Sequence, residues 1–163
     1  ENKVVMTGVA TVPGSTPPGV KYSFRLLLTS AELVPTMYGW LNKKHPELKR
    51  CSFLALNAEH GKFAAKTGAE EVRKYGREVV YAELYEPGVM DFYPYLTKMI
   101  AAKPDVLDVC LGYPAHVGLI LKQARELGWK GLVLRGEVWV FPMGCRDVAQ
   151  SCQGYLRWYY KSW

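Results

Sequence analysis

Three side chains follow predicted strands and could bind a small molecule. Tyr113 offers a flat apolar face and one hydroxyl just before a helix, whose free backbone amides favour an anionic group. Glu137 could accept hydrogen bonds from a ligand ammonium group, and His60 could stack or donate a hydrogen bond at neutral pH. A loop-anchoring tyrosine, a solvated glutamate and a surface histidine are the ordinary structural alternatives. These residue types suit recognition better than bond breaking.

Motifs of the common enzyme classes are absent from the sequence. There is no G-x-G-x-x-G after the first strand, no G-x-x-x-x-G-K phosphate loop, no H-E-x-x-H and no G-x-S-x-G elbow. A flavodoxin-like enzyme would need a phosphate-binding loop after Leu56, where residues 57–62 hold one glycine and an acid. We therefore expect a protein that is not an enzyme and has no cofactor.

Residues 104–137 predict a strand, a helix and a second strand, and they position Tyr113 and Glu137. Residues 106–111 are short and apolar, as in a strand buried on both faces. Pro114 suits the first helical position, and Gly128 suits the left-handed residue after the helix. Residues 131–135 then resume as a strand that lies parallel to the first.

The same unit recurs along the chain. Strands are predicted to begin near Arg50, Glu78, Val106 and Leu132, at intervals of roughly 26 to 28 residues, typical of strand-plus-helix units. This spacing predicts an α/β fold with a doubly wound parallel sheet. Ligands bind such sheets beyond the carboxyl ends of the strands, which here are followed by residues 57–61, 85–88, 112–113 and 136–137.

Three further helices are predicted, one before these strands and two between them. The first ends at about Lys44, and Pro35 complicates the position of its first turn. The second carries Glu70 and Lys74 at a spacing that favours a surface ion pair. Asp91 is the expected N-cap of the third helix.

Composition places the chain among globular α/β domains. Its 163 residues are 49% hydrophobic, enough for a compact core. No apolar run approaches the roughly 20 residues of a membrane span, and Glu1 opens the sequence without a leader, so we expect any signal peptide to be gone. The net charge of +6 comes from basic residues spread over helix faces without an aromatic platform. We therefore expect no nucleic-acid partner.

The four cysteines divide into two pairs of different character. Cys51 and Cys110 lie in apolar strands, where a cysteine is usually a small buried hydrophobe. Cys145 and Cys152 lie in a more polar segment and could close a short disulfide loop. A metal site is not expected, because no C-x-x-C pair is present and the three histidines are scattered.

The two ends of the sequence differ from the regular middle. Residues 3–11 read as a strand without a following helix, and residues 22–28 read as extended. Residues 154–163 hold five aromatic side chains, which would aggregate if nothing covered them. We expect both ends to pack against protein beyond this sequence.

The chain resembles the periplasmic binding proteins of the branched-chain amino-acid type, the substrate-binding subunits of ABC importers with the Venus-flytrap fold. The similarity covers nearly the whole chain. It is carried by the phrases GVATVPGSTPPGVKYSFR, NAEHGKFAAKTGAEEVRKYG, YEPGVMDFYPYLTKMIAAKPDVL and GYPAHVGLILKQARELGWKG. The resemblance implies a three-layer αβα lobe that binds a ligand without chemistry.

The resemblance also implies how the chain divides. Residues 1–29 would be the end of a first lobe and a crossover, residues 30–153 the second lobe, and residues 154–163 a returning crossover. The implied partners are an amino acid or related small acid or amide, a membrane ABC permease, and first-lobe residues of the same protein. The implied location is periplasmic or extracellular. A sensory or regulatory domain of the same fold is the alternative function.

Site residues follow from the resemblance at five positions. Ala10 and Thr11 match first-lobe residues that hold the ligand's carboxylate and ammonium groups. Tyr113 matches a tyrosine of the second lobe, and Glu137 matches the acid that binds the ammonium group. His60 stands where a tyrosine commonly precedes glycine, and this departure leaves room for an aromatic or otherwise larger ligand.

Overall fold

The computed structural model describes residues 4–7, 14, 19, 21–26, 28–110 and 112–134. The elements run in the order β1 Val5–Thr7, β2 Ser23–Arg25, α1 Ser30–Lys44, β3 Arg50–Leu56, α2 Glu59–Lys74, β4 Glu78–Tyr85, α3 Tyr93–Ala101, β5 Val106–Cys110, α4 Pro114–Glu126 and β6 Leu132–Leu134. The helices and strands expected from the sequence are therefore present within these residues.

The main sheet has four strands in the order β4-β3-β5-β6, and each neighbouring pair is parallel. The chain adds β4 on one side of β3 and then crosses back to add β5 on the other side. This reversal is the doubly wound topology predicted from the strand spacing. β1 and β2 pair in parallel in a separate two-stranded sheet.

Two hydrophobic clusters cover the two faces of the main sheet. One joins α1 and α2 to the sheet, and its members include Val34, Tyr38, Leu41, Phe53, Ala64 and Val72. The other joins α3 and α4 to the opposite face, and its members include Leu54, Leu96, Met99, Leu107, Ile120 and Leu121. The three-layer αβα architecture is thus confirmed. Both faces of β5 are buried, as its short and mostly apolar run predicted.

The first turn of α1, which Pro35 left open in the sequence, begins at Ser30, so Pro35 lies inside the helix. Local predictions differ from the structure at two points. Phe92, not Asp91, is the N-cap of α3, although Asp91 accepts a hydrogen bond from the backbone N–H of Tyr93 at 3.0 Å. The predicted pair between Glu70 and Lys74 is wrong, since the ammonium group of Lys74 lies 3.2 Å from a carboxylate oxygen of Glu71.

Other local predictions are confirmed. Gly128 follows α4 with a left-handed φ of +80°. Cys51 and Cys110 are buried free thiols, whereas the suggested pair Cys145 and Cys152 lies outside the described residues. Within the described part of the chain, no helix is both long and apolar enough to cross a membrane.

A buried acid in β5 links the sheet to α1. Asp108 is 3% exposed, and its Oδ2 accepts a 2.7 Å hydrogen bond from the hydroxyl of Tyr38. Its Oδ1 has no hydrogen-bond partner among the described residues. Burial raises the pKa of Asp108 to about 6, and the hydrogen bond from Tyr38 acts in the opposite direction. The ionised carboxylate is therefore tolerated at neutral pH at a cost to stability.

This cost predicts a pH dependence of folding. The folded chain binds the Asp108 proton more tightly than the unfolded chain, so the stabilisation is complete below about pH 4 and is lost as pH rises through about 6. Asp108→Asn keeps an acceptor for Tyr38 and cannot ionise. We expect the free energy of unfolding to fall by about 2 kcal/mol less between pH 4 and 7 in this variant than in the unmodified chain.

Urea denaturation at a series of pH values measures this difference. Asp91→Asn, which changes an exposed carboxyl group at the start of α3, is the matched control and should keep the unmodified pH profile. If the free energy of unfolding depends on pH in the same way in Asp108→Asn and in the unmodified chain, Asp108 is not the source of the pH dependence.

Candidate functional site

The reversal of winding places two helix N-termini next to each other. α2 follows β3 and α4 follows β5, and these two strands are hydrogen-bonded neighbours. We use the term carboxyl edge for residues 57–61, 86–88 and 112–113, which follow the ends of β3, β4 and β5. Doubly wound sheets bind ligands at this position. The carboxyl edge is therefore the candidate binding surface.

His60 reaches this edge because α2 begins directly against the end of β3. A Cβ atom on Gly61 would lie 2.2 Å from the carbonyl oxygen of Leu56, closer than any real side chain approaches a backbone oxygen. Glycine at this position lets the first turn of α2 touch the strand it follows. The preceding residue, His60, is partly exposed in that first turn.

Tyr113 occupies the N-cap of α4 and is 52% exposed. Its side chain makes no capping hydrogen bond, and the first turn of α4 contains no acidic residue. The first backbone N–H groups of the helix are therefore left without an acceptor from this turn. Such amides, together with the positive end of the helix dipole, favour an anionic group.

The turn after β3 is held to the end of β4. The backbone N–H of Asn57 donates a 2.7 Å hydrogen bond to the carbonyl oxygen of Tyr85. The side-chain amide of Asn57 also donates to the carboxylate of Glu86. These two bonds fix the strand ends relative to each other, so the carboxyl edge presents a defined surface.

A cluster of rings lies below this surface. Tyr85 and Phe92 are fully buried, and their ring centroids are 5.1 Å apart in an edge-on arrangement. The ring of His116 lies 5.4 Å from that of Tyr113 and 5.5 Å from that of Tyr85. The exposed tyrosine of the carboxyl edge is thus connected to the core by aromatic contacts.

The five predicted site residues fall into two groups. His60 and Tyr113 lie at the carboxyl edge, after neighbouring strands, where the sequence placed them. Ala10, Thr11 and Glu137 lie outside the described residues. His116 is not among the residues predicted from the sequence, where it is one of three scattered histidines. The available signal was its i, i+4 spacing with the apolar residues Ile120 and Ala124 on one helix face.

Metal binding has no candidate in the described regions. No group of three or more His, Cys, Asp or Glu side chains in residues 4–134, outside the gaps given above, could hold a metal ion.

The fold and the carboxyl edge define a doubly wound α/β domain, a class that binds ligands where the winding reverses. The family model described as Periplasmic binding protein matches residues 1–143, and the chain belongs to this family. Homologues in this family are extracytoplasmic, and the family is one of substrate-binding proteins of ABC transporters. The homologues are solute-binding proteins and not enzymes.

Individual proteins are similar to this chain in sequence or in fold. A Leu/Ile/Val-binding protein homologue of Brucella melitensis is 30% identical over 138 residues, 84% of this chain and 37% of the relative. A leucine-binding protein of Thermotoga maritima superposes with a TM-score of 0.73 at 22% identity, covering 81% of this chain and 37% of that one. A solute-binding protein of Rhodopseudomonas palustris in complex with 3,4-dihydroxybenzoic acid gives a TM-score of 0.59 at 26% identity, covering 70% and 31%. The chain spans about a third of the length of these relatives.

The close approach at Gly61 predicts a large effect of a small substitution. Gly61→Ala places a methyl group against the backbone carbonyl of Leu56, and the strand cannot yield without breaking its pairing. We expect a loss of about 3 kcal/mol in the free energy of unfolding, measured by urea denaturation.

Gly88→Ala is the matched control at the same edge. A Cβ atom on Gly88 would have no heavy atom within 4 Å, so we expect a change of less than about 0.5 kcal/mol. Equal effects of the two substitutions would show that the contact at Gly61 does not constrain α2.

Proposed function

We propose that this chain forms most of one lobe of an extracytoplasmic solute-binding protein of an ABC importer. The whole protein binds an amino acid or a related small carboxylate or amide between two lobes that close on it. The observation that carries the proposal is the adjacent start of α2 and α4 at the reversal of winding, with His60 and Tyr113 partly exposed there. Membership of the Periplasmic binding protein family supports it.

We propose the same division of the chain that the family resemblance implies. Residues 1–29 end a first lobe and begin a crossover, residues 30–153 form the second lobe, and residues 154–163 return toward the first lobe. The two-stranded sheet supports a partner lobe, because its neighbouring residues Val5 and Met6 are 56% and 61% exposed. Successive strand residues point to opposite faces, so both faces of β1 are uncovered by the described elements. Parallel sheets are normally covered on both faces.

The proposed site combines residues from both lobes. Ala10 and Thr11 hold the polar groups of the ligand from the first lobe. His60 and Tyr113 contact the ligand from the second lobe, and Glu137 accepts hydrogen bonds from an ammonium group. These roles rest on the family resemblance, and for His60 and Tyr113 also on their place at the carboxyl edge.

Two ligand classes are supported by the relatives. The Brucella relative is described as a Leu/Ile/Val-binding protein homologue, and the Rhodopseudomonas protein was crystallised with an aromatic acid. Glu137 favours an amino acid, because an aromatic acid has no ammonium group for it to bind. His60 in place of tyrosine favours a ligand larger than leucine.

Transport follows from closure of the lobes. The ligand enters the open cleft, the crossover segments act as a hinge, and the closed form is recognised by a membrane permease. The protein therefore acts in the periplasm or outside the cell. It performs no chemistry on its ligand.

Calorimetric titration of the full-length protein encoded with this sequence tests the proposal. We expect micromolar binding of an amino acid or an aromatic acid, and binding at least about 100-fold weaker by the 163-residue chain alone, which lacks most first-lobe contacts. Leucine, phenylalanine and 3,4-dihydroxybenzoate are the first probes. Micromolar binding by the 163-residue chain would contradict the two-lobed site. A full-length product of only 163 residues, seen by intact mass, would favour a regulatory role.

Tyr113 predicts a loss of ligand affinity when its ring is removed. Tyr113→Ala should weaken binding by about tenfold, since an aromatic side chain at a buried interface carries much of the contact energy. Tyr93→Ala is the control, because Tyr93 is 38% exposed and bonds to Glu126 in the last turn of α4, away from the carboxyl edge. Equal losses of ligand affinity in both variants would contradict the proposal that Tyr113 contacts the ligand.

A further inference from the structure

His116 lies in the first turn of α4, three residues after Tyr113, and is 7% exposed. Three rings surround it. The centroid of its imidazole lies 5.4 Å from the ring of Tyr113, 5.5 Å from that of Tyr85 and 5.8 Å from that of Phe92, with interplanar angles of 79°, 67° and 57°. The imidazole is therefore the middle member of a continuous aromatic cluster.

The inner side of this cluster is firmly held. Tyr85 and Phe92 pack edge-on in the core, and the backbone N–H of Phe92 donates a 2.7 Å hydrogen bond to the side chain of Gln123 on α4. A Cβ atom on Gly112 would lie 2.5 Å from the hydroxyl oxygen of Tyr85, so the tyrosine fills the space below the carboxyl edge completely. His116 thus rests on rings that cannot move independently of the sheet and α4.

The outer side of the cluster is a half-exposed ring. Tyr113 makes no capping hydrogen bond with its side chain. Within the regions that the structure describes, its aromatic contact is with His116. Ordering a flexible tyrosine ring when the ligand binds costs conformational entropy and so weakens binding. The contact with His116 orders the ring of Tyr113 before the ligand binds.

The Nδ1 atom of His116 is buried and has no hydrogen-bond partner among the residues described. Burying an unpaired polar nitrogen costs stability that a purely apolar ring would not cost. A phenylalanine at this position would therefore keep an aromatic contact with Tyr113 without that cost.

We propose that His116 is a positioning residue, which holds the ring of Tyr113 in the orientation that receives the ligand and so helps to set the ligand specificity. The proposal rests on the proposed function, in which Tyr113 contacts the ligand. His116 acts through Tyr113 and does not touch the ligand, because it lies beneath that ring and is buried.

A double-mutant cycle measured by calorimetry tests this role in the full-length protein, with leucine, phenylalanine and 3,4-dihydroxybenzoate as probes. We expect His116→Ala to weaken binding about three- to tenfold, the effect of ordering one side chain on binding. In the Tyr113→Ala background the same substitution should have no further effect. Additive losses, or full affinity in His116→Ala, would overturn the proposal.

Two further variants separate positioning from general loss of stability. Leu121→Ala removes a side chain of the same core cluster on the same helix, and it should lower the melting temperature while leaving affinity unchanged. If its loss of affinity equals that of His116→Ala, the effect is structural and the proposal fails. His116→Phe restores a ring beneath Tyr113 and should restore affinity to within about threefold of the unmodified protein.

A ligand-free measurement distinguishes failure of this inference from failure of the proposed function. In spectra of protein with ¹³C-labelled tyrosine, assigned with Tyr113→Phe, the ring signals of Tyr113 should move toward those of a free tyrosine in His116→Ala and return in His116→Phe. Unchanged signals would overturn the positioning role. Binding of none of the probes by the unmodified protein would count against the proposed function alone.

Discussion

The pairing of β3 with both β4 and β5 is the constraint on which the candidate site depends. β3 is the first strand of the main sheet in the chain, yet it lies between the next two. The connection from β4 to β5 must therefore pass β3 to reach its other side. The helices that follow β3 and β5, α2 and α4, lie on opposite faces of the sheet. Their N-termini approach the same part of the edge from the two sides. A sheet wound in one direction would not bring His60 and Tyr113 to neighbouring strand ends.

Hydrogen bonds between distant elements are a second feature of the same packing. Asp108 on β5 accepts a hydrogen bond from Tyr38 on α1, and the buried guanidinium group of Arg77 donates to the backbone carbonyl oxygens of Leu41 and His45. These polar contacts join the outer helix α1 to strands or strand starts that are distant in sequence. A lobe that closes on a ligand as a rigid body needs such cross-connections, because closure transmits binding energy to the hinge only if the lobe does not deform.

The fold could be predicted from the sequence further than the site could. Strand spacing, Gly128 and Pro114 are local signals, and local signals fixed the elements and the topology. The exchange of Glu70 for Glu71 as the partner of Lys74 depends on side-chain rotamers, which spacing does not report. His116 in the first turn of α4 contacts Phe92 and Tyr85, which precede it in sequence by 24 and 31 residues. Contacts of this range become visible only when the layers are assembled.

Electrostatics at the carboxyl edge bear on which ligand the site would select. The N-terminal ends of α2 and α4 both carry partial positive charge toward the edge. Glu59 offsets this charge in the first turn of α2, whereas α4 has no acidic side chain in its first turn. The end of α4 by itself favours an anion and disfavours a cation. A ligand ammonium group therefore requires an acid supplied from another strand end, the role proposed for Glu137. A zwitterion would satisfy both features, with its carboxylate away from Glu137 and its ammonium group against it. An aromatic acid would use only the positive helix ends and would leave the charge of Glu137 without a ligand partner inside a closed cleft. Burying that unpaired charge is costly, so this physical asymmetry favours an amino acid over a simple aromatic acid as the cargo.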